Sequence, residues 1–386
     1  MANEVMNQNV TEAEEMEIVP TNHTGRYVIC GLGNCGHAVV DELSTRQSLN
    51  DVDLFAIDSI AANVTMASIN SRVEYIPIIS DEKSGSGRNR ERGGAMFDYH
   101  YALGTFNKML DKCMEAKTPV IIITSAAGGT GSGSAPRLCK ILLDMDIMVI
   151  PIIICPSMDD PTAYHLNTND LLMELDEAGV QTYAVFRNVS GDSNYTPVNN
   201  EVAEMIEIIL GKKYGPTNLD SIDDSDLDSI LNMPGRFVAI SAQAKDLQTL
   251  TRQITRKMFT GFQPSWTDED AKKFTFMTGY SLKSMFAGED FKQVFDEVRN
   301  RIYSVYDEYR HIEQVDNGGE VEATVIIAGL PRPEIKMIET EYNAAGSIGA
   351  GMKRSARPKF MNKKKASISQ KTGTDGNAIG TFKWKK

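Results

Sequence analysis

Val120-Ile121-Ile122-Ile123-Thr124-Ser125-Ala126-Ala127-Gly128-Gly129-Thr130-Gly131-Ser132-Gly133 is the stretch from which the rest of the chain can be read. Its opening run, Val120–Thr124, is short, apolar and closed by small polar residues, which predicts a buried strand. From Gly128 to Gly133, four of six residues are glycine, with only Thr130 and Ser132 between them. Every glycine adds to the entropy lost when a chain is ordered, so a mere connector has no use for so many. The composition makes sense if successive backbone N–H groups must face an anion. Bare backbone at a helix N-terminus supplies the donors, and the small hydroxyls of Thr130 and Ser132 add more without blocking approach. The following helix is expected to begin near Ala135-Pro136. On this reading a Cβ at Gly131 would occupy the anion's place, so that Gly131→Val abolishes binding and leaves the fold.

Two further glycine loops lie upstream. Gly31-Leu32-Gly33-Asn34-Cys35-Gly36 follows a predicted strand at Tyr27–Cys30 and precedes a helix near His37, a formal G-x-G-x-x-G. Asp58 ends the next strand, Leu54–Ile57, about where a dinucleotide fold places its ribose-binding acid, so a Rossmann NAD(P)-dependent oxidoreductase is one reading. That reading leaves the Gly128–Gly133 run without a purpose. The third loop, Gly85-Ser86-Gly87-Arg88-Asn89-Arg90-Glu91-Arg92-Gly93, follows a strand near Tyr75–Ile79, and its arginines suit either phosphates or a solvated charge cluster. No G-x-x-x-x-G-K-[ST] occurs, which excludes the P-loop solution.

Between Arg26 and Asn188, β-rich runs at Tyr27–Cys30, Leu54–Ile57, Val120–Thr124, Met148–Ile154 and Thr182–Phe186 alternate with longer helical stretches. This is the pattern of an α/β fold with a Rossmann-like parallel sheet. Ligands in such folds bind at the carboxyl ends of the strands, where the glycine loops are. A helix over about 199–212 carries Val202, Met205, Ile206 and Ile209 on one face. An acidic stretch, Asp220–Asp228, follows it. A second, smaller α/β domain is then expected from strands at Arg236–Ser241, Lys273–Tyr280 and Glu322–Ala328 and helices at Leu247–Met258 and Glu289–Tyr306.

At 386 residues the chain suits two domains, and 41% hydrophobic with 24% charged residues is ordinary for a soluble globular protein. No run approaches the ~18 apolar residues of a bilayer span, and the acidic residues 1–25 read as a flexible tail rather than a secretion signal. A cytoplasmic protein is expected. Five cysteines with no C-x-x-C pair argue against a disulfide framework or a zinc site. The net charge of -12 opposes non-specific nucleic-acid binding by the body of the protein. From Lys353 on, however, eleven basic residues face the single acid Asp375, so the end of the chain reads as a basic arm.

The run Gly128–Gly133 after a buried strand resembles the G-G-T-G-S-G signature of the tubulin/FtsZ superfamily. Gly33–Gly36 resembles the G-Q-C-G of tubulin and of the plasmid and phage relatives TubZ and PhuZ. Gly85, Gly87, Asn89 and Gly93 match the spacing of tubulin's γ-phosphate loop. Cys155-Pro156-Ser157 is similar to the ribose-contacting loop, while Asn188 and Asn200 stand where the family reads the base. Ala127 replaces the first signature glycine and Asn34 the usual glutamine, which points to the divergent plasmid or phage branch. The resemblance covers about residues 26–330.

The resemblance implies a GTP/GDP-binding domain at 26–198, a central helix and acidic loop at 199–232, a C-terminal α/β domain at 233–332 and a basic tail at 333–386. Phosphates are expected over Gly33, Asn34, Cys35 and Gly36, over Gly85, Ser86 and Gly87, and over Ala127, Gly128, Gly129, Thr130, Gly131 and Ser132. Pro156 would contact the ribose. Mg2+ is expected to be held through phosphate oxygens and water with Asp58 nearby. The family pattern N-x-D-x-x-D registers on Asn218 with Asp220 and Asp223, or one step later on Asp223 and Asp226. The latter pair is preferred as catalytic, because Leu227, Ile230 and Leu231 then form the apolar face of a short helix. Such an acidic loop acts on the nucleotide of the next subunit, implying a head-to-tail filament that hydrolyses GTP as it assembles. Plasmid segregation or phage DNA or virion positioning would be its role, with a DNA-bound adaptor or phage component as partner of the basic tail. A non-hydrolysing filament or scaffold would keep the glycine loops and lack working acids.

Overall fold

The computed structural model describes residues 27–60, 71–79, 85–189, 194–210, 233–258, 276–282, 307–311 and 321–330. Six strands build the first part of the sheet: β1 (Val28–Leu32), β2 (Asp53–Asp58), β3 (Val73–Pro77), β4 (Val120–Ser125), β5 (Val149–Cys155) and β6 (Thr182–Arg187). All six run parallel in the order β3-β2-β1-β4-β5-β6. The runs Val28–Leu32, Val120–Thr124 and Val149–Cys155 are buried at every position, as expected of strands covered by helices on both faces.

The seventh strand, β7 (Gly235–Ala244), joins β6 in parallel through Thr182 and Tyr183 only. Beyond it lie β10 (Val321–Leu330), antiparallel to β7, then β8 (Phe276–Leu282), antiparallel to β10, and β9 (Asp307–His311), parallel to β8. The predicted strands therefore stand, with edges moved by a few residues. The helix expected at Glu289–Tyr306, the acids Asp220, Asp223 and Asp226, and both tails lie outside the described residues.

Side-chain alternation sorts the helices onto two faces. Ile29, Ile121, Ile123, Ile150 and Ile152 pack with Val39, Val40 and Leu43 of α1 (Gly33–Ser44) and Val202, Met205 and Ile206 of α6 (Thr196–Ile209). Val28, Cys30, Val120 and Ile122 face the other way. They pack with α2 (Arg90–Ala102), α3 (Asn107–Ala116), α4 (Thr130–Asp144) and α5 (Thr162–Ala178). A further helix, α7 (Leu247–Met258), follows β7.

This sorting creates the feature that positions the site. Adjacent strands β1 and β4, in register from Val28↔Val120 to Leu32↔Thr124, send their following helices α1 and α4 to opposite faces. A crevice opens at such a switch point, at the carboxyl end of the sheet. Helix α1 begins at Gly33, four residues before the start expected near His37, so Gly33–Gly36 is its first turn and lies there with the loop Ala126–Gly129. Among the described residues, no helix is long and apolar enough to cross a membrane.

Candidate functional site

Helix α4 begins at Thr130, five residues before the expected start at Ala135. Proline is common in the first turn of a helix, which made Pro136 look like a beginning; here it is interior. Having no N–H, Pro136 leaves the carbonyl of Ser132 without its helical donor. The guanidinium of Arg90 fills the gap, donating to Ser132 O at 3.0 Å. Most of the glycine signature is thus the first helical turn rather than a loop.

The ends of α1 and α4 lack side-chain caps: Leu32 and Gly129 hold the N-cap positions without any capping hydrogen bond. The N–H groups of the first turn have no partner inside a helix, so Thr130, Gly131 and Ser132 present donors at the switch point. By contrast α2 is capped by Asn89, whose side chain accepts from Arg92 N at 2.8 Å.

The three glycine loops meet. A Cβ on Gly33, at φ +69°, would lie 3.0 Å from the nitrogen of Gly131. The Gly85 N–H donates to Ser59 O at 2.8 Å. A chain of hydroxyls runs from Ser59 Oγ to Thr130 Oγ1 at 2.5 Å and on to Ser86 Oγ at 3.0 Å. Gly129 is packed so closely that a Cβ would stand 2.6 Å from Asn89 N. Gly36 presses on the carbonyl of Ile123, and Gly133 on that of Arg90.

Most of these glycines therefore serve close packing between backbones, a use the sequence reading did not assign them. At Gly131 the reason given for the expected loss of binding needs correction. A Cβ there would meet Thr124 Oγ1 at 2.5 Å and Leu32 O at 2.6 Å, inside the protein and not in an anion's place. Gly128 is different: a Cβ there meets nothing within 4 Å. Gly87, at φ +63°, is also open.

Of the remaining predicted residues, Asp58 is buried at the end of β2, its Oδ1 accepting from Ser59 N at 2.6 Å. That places a carboxylate one residue from the hydroxyl chain. Asn34 is exposed at the start of α1, and Cys35 beside it is half-buried. Burial pushes the Cys35 thiol up to about 12, so it adds no negative charge to the crevice. Pro156 is buried after β5, and Asn188 is brought beside that loop by donating from its backbone to Cys155 O at 3.0 Å. Asn200 is exposed on α6.

Several residues at the site carried no clear sequence signal. Asp160 accepts from Ser157 N at 2.7 Å and Ser157 Oγ at 3.0 Å, shaping the loop after Pro156. The arginine loop splits. Arg90 is buried and grips Glu174 of α5 through two hydrogen bonds of 2.8 and 3.1 Å, while Arg88 is exposed with its guanidinium 4.7 Å from the centre of the Tyr164 ring. Asn167 donates to carbonyls of two different loops.

Residues 26–190 match the family model described as "Tubulin/FtsZ family, GTPase domain". Tubulin-like protein CetZ2 of Haloferax volcanii is 26% identical over 267 residues, covering 63% of this chain and 73% of that protein. A structure of it as a GTPγS-bound protofilament superposes with a TM-score of 0.63 at 18% identity, covering 83% of this chain and 99% of that one. Tubulin-like protein TubZ of Bacillus thuringiensis is 33% identical over 121 residues, which is 30% of this chain and 24% of TubZ. Its GTPγS-form protofilament gives a TM-score of 0.63 at 19% identity, covering 84% and 94% of the two chains. FtsZ from M. jannaschii gives 0.61 at 15% identity, covering 79% and 88%. At such identities the structural likeness is one of fold. It agrees with the switch point, the uncapped first turn of α4 and the sequence match: residues 26–190 are similar in sequence and in fold to the GTPase domain of the tubulin/FtsZ family.

Proposed function

We propose that this chain binds GTP at the β1/β4 switch point, assembles head to tail into a filament, and hydrolyses the nucleotide with an acid supplied by the next subunit. The observation that carries the proposal is the open space at Gly128 beside the uncapped N-terminus of α4, inside a domain similar to that GTPase family. A helix end with free donors favours phosphate, and small residues around it let the backbone approach. In this reading the donors of Thr130, Gly131 and Ser132 take the inner phosphates, Gly33–Gly36 closes over them, and Gly85–Gly87 faces the terminal one. Pro156 packs near the ribose, and Asn188 and Asn200 read the guanine.

The described residues contain no group of three or more His, Cys, Asp or Glu fit to hold a metal ion. What the site offers is Asp58 and the hydroxyls of Ser59, Ser86 and Thr130. That set fits Mg2+ held mainly by phosphate and water oxygens. When bound, the ion neutralises charge on the phosphates. The chain's own part is positioning: it fixes the triphosphate by rigid backbone donors and aligns water through a carboxylate.

No base for water is evident in the described loops, which is why Asp223 and Asp226, with Asp220 in reserve, are assigned to the neighbour's site. CetZ2 and TubZ are both known as GTPγS protofilaments, which supports the same mode of assembly here. A contact between unlike surfaces propagates instead of closing, so a filament results. We place the protein in the cytoplasm. Its cargo is a plasmid or phage component, met directly or through a DNA-bound adaptor by the lysine-rich tail.

Electron microscopy of the purified protein with GTP, GDP and GTPγS tests the proposal. Filaments with GTP and GTPγS, disassembling as GTP is consumed but persisting with the analogue, are the expected result. Assembly indifferent to nucleotide would refute it.

A further inference from the structure

Asn167 ties two loops together. Its Nδ2 lies 3.0 Å from the carbonyl oxygen of Ala127, 3.4 Å from that of Gly128 and 3.2 Å from that of Arg88. Three carbonyl oxygens around one terminal atom identify it as the amide nitrogen, the donor. Ala127 and Gly128 belong to the loop after β4, and Arg88 to the loop before α2.

The Arg88 loop is held in a costly shape. Gly85, Gly87 and Arg88 have φ of +75°, +63° and +63°, and Arg88 carries a Cβ in a region that suits glycine. Anchors at both ends keep it there, the Gly85 N–H bond to Ser59 O at 2.8 Å among them. Near its start, Ser86 Oγ accepts from Thr130 Oγ1. At Arg88, the carbonyl is taken by Asn167 and the guanidinium rests on Tyr164, one turn earlier on α5.

We propose that Asn167 is a positioning residue that sets the preference for guanosine triphosphate over diphosphate. This rests on the assignment of the crevice as a guanine-nucleotide site. The donors at the start of α4 belong to a packed helix and keep their places whatever Asn167 does. The loop 85–89 can meet a terminal phosphate only while it is held against Ala127 and Gly128. Without the amide, the strained end at Arg88 relaxes about its anchor at Ser86. The terminal phosphate then loses its partners, whereas the inner phosphates keep theirs.

The test is calorimetric titration of the full chain with GTPγS and with GDP, in Mg2+, for wild type, Asn167→Ala and Asn167→Asp. The aspartate keeps the shape of the side chain but turns an oxygen toward three carbonyl oxygens. Both variants are expected to bind GTPγS about tenfold more weakly, the effect of losing one or two net hydrogen bonds. GDP affinity should stay at the wild-type value, while the thermal midpoint falls by about 2–4 °C. Equal weakening toward both nucleotides, an unchanged ratio, or failure of both variants to fold would overturn the role. A wild type that binds neither nucleotide would instead remove the assignment of the site itself.

Discussion

Two glycines three residues apart in one signature are expected to fail in opposite ways when substituted. At Gly131 a Cβ would press on Leu32 O at 2.6 Å, and that carbonyl belongs to a central strand that cannot withdraw. Overpacking of this kind costs about 1–3 kcal/mol, and valine, with two methyls beyond the Cβ, belongs at the upper end. The better helix propensity of valine over glycine returns about 0.5 kcal/mol. Gly131→Val should therefore lose about 2–3 kcal/mol of stability before any nucleotide is added. At Gly128 the Cβ enters open space. Gly128→Ala should unfold within ~0.5 kcal/mol of wild type, as surface changes do, yet bind GTPγS at least about tenfold more weakly because its methyl stands where phosphate approaches. Urea unfolding without nucleotide, paired with titration of a fluorescent GTP analogue, separates the two. Wild-type stability in Gly131→Val would refute the packing argument, and wild-type affinity in Gly128→Ala would move the phosphates elsewhere.

Removing Arg90 should be costly, because Arg90→Ala strands a largely buried Glu174 and frees the Ser132 carbonyl. A loss of about 3 kcal/mol is expected in urea unfolding, and the double variant Arg90→Met/Glu174→Met should recover part of it; no recovery would count against the pair. Since burial raises the Cys35 thiol to about 12, it stays neutral at ordinary pH, and its thiolate increases only as pH climbs toward that value. Alkylation at pH 8, followed by site-resolved mass spectrometry, should run at least ~100-fold slower than for a free cysteine and speed up about tenfold per pH unit; the rate of an ordinary thiol would contradict this. Asp226→Ala should bind GTP and assemble into long-lived polymers, with phosphate release reduced roughly 10²–10⁴-fold. Full turnover in Asp226→Ala, Asp223→Ala and Asp220→Ala alike would put the catalytic group elsewhere.

What the sequence reveals follows from the range of the interactions. Val28–Leu32, Val120–Thr124 and Val149–Cys155 are legible because a strand buried on both faces must be apolar at every position. The glycine runs are legible because backbone permissiveness leaves a local mark. Their purposes are less so: Gly36, Gly129, Gly131 and Gly133 press on the backbones of distant residues, and only Gly128 and Gly87 open outward. The start of α4 is not legible, because Pro136 is interior and the carbonyl it leaves free is taken by Arg90. That partner is 42 residues away, and Glu174 lies 84 residues from Arg90. Asn167 had no signal at all, since one amide on a helix looks like any solvated polar side chain until the two loops it joins are seen together.

Phosphate release measured across a series of protein concentrations, at saturating GTP and Mg2+, tests the central claim most directly. A site completed by the next subunit predicts almost no turnover below a threshold concentration and, above it, a rate rising linearly with the protein in excess of that threshold. Turnover per subunit that is the same at every concentration would mean that each chain holds a complete catalytic site and would contradict the account.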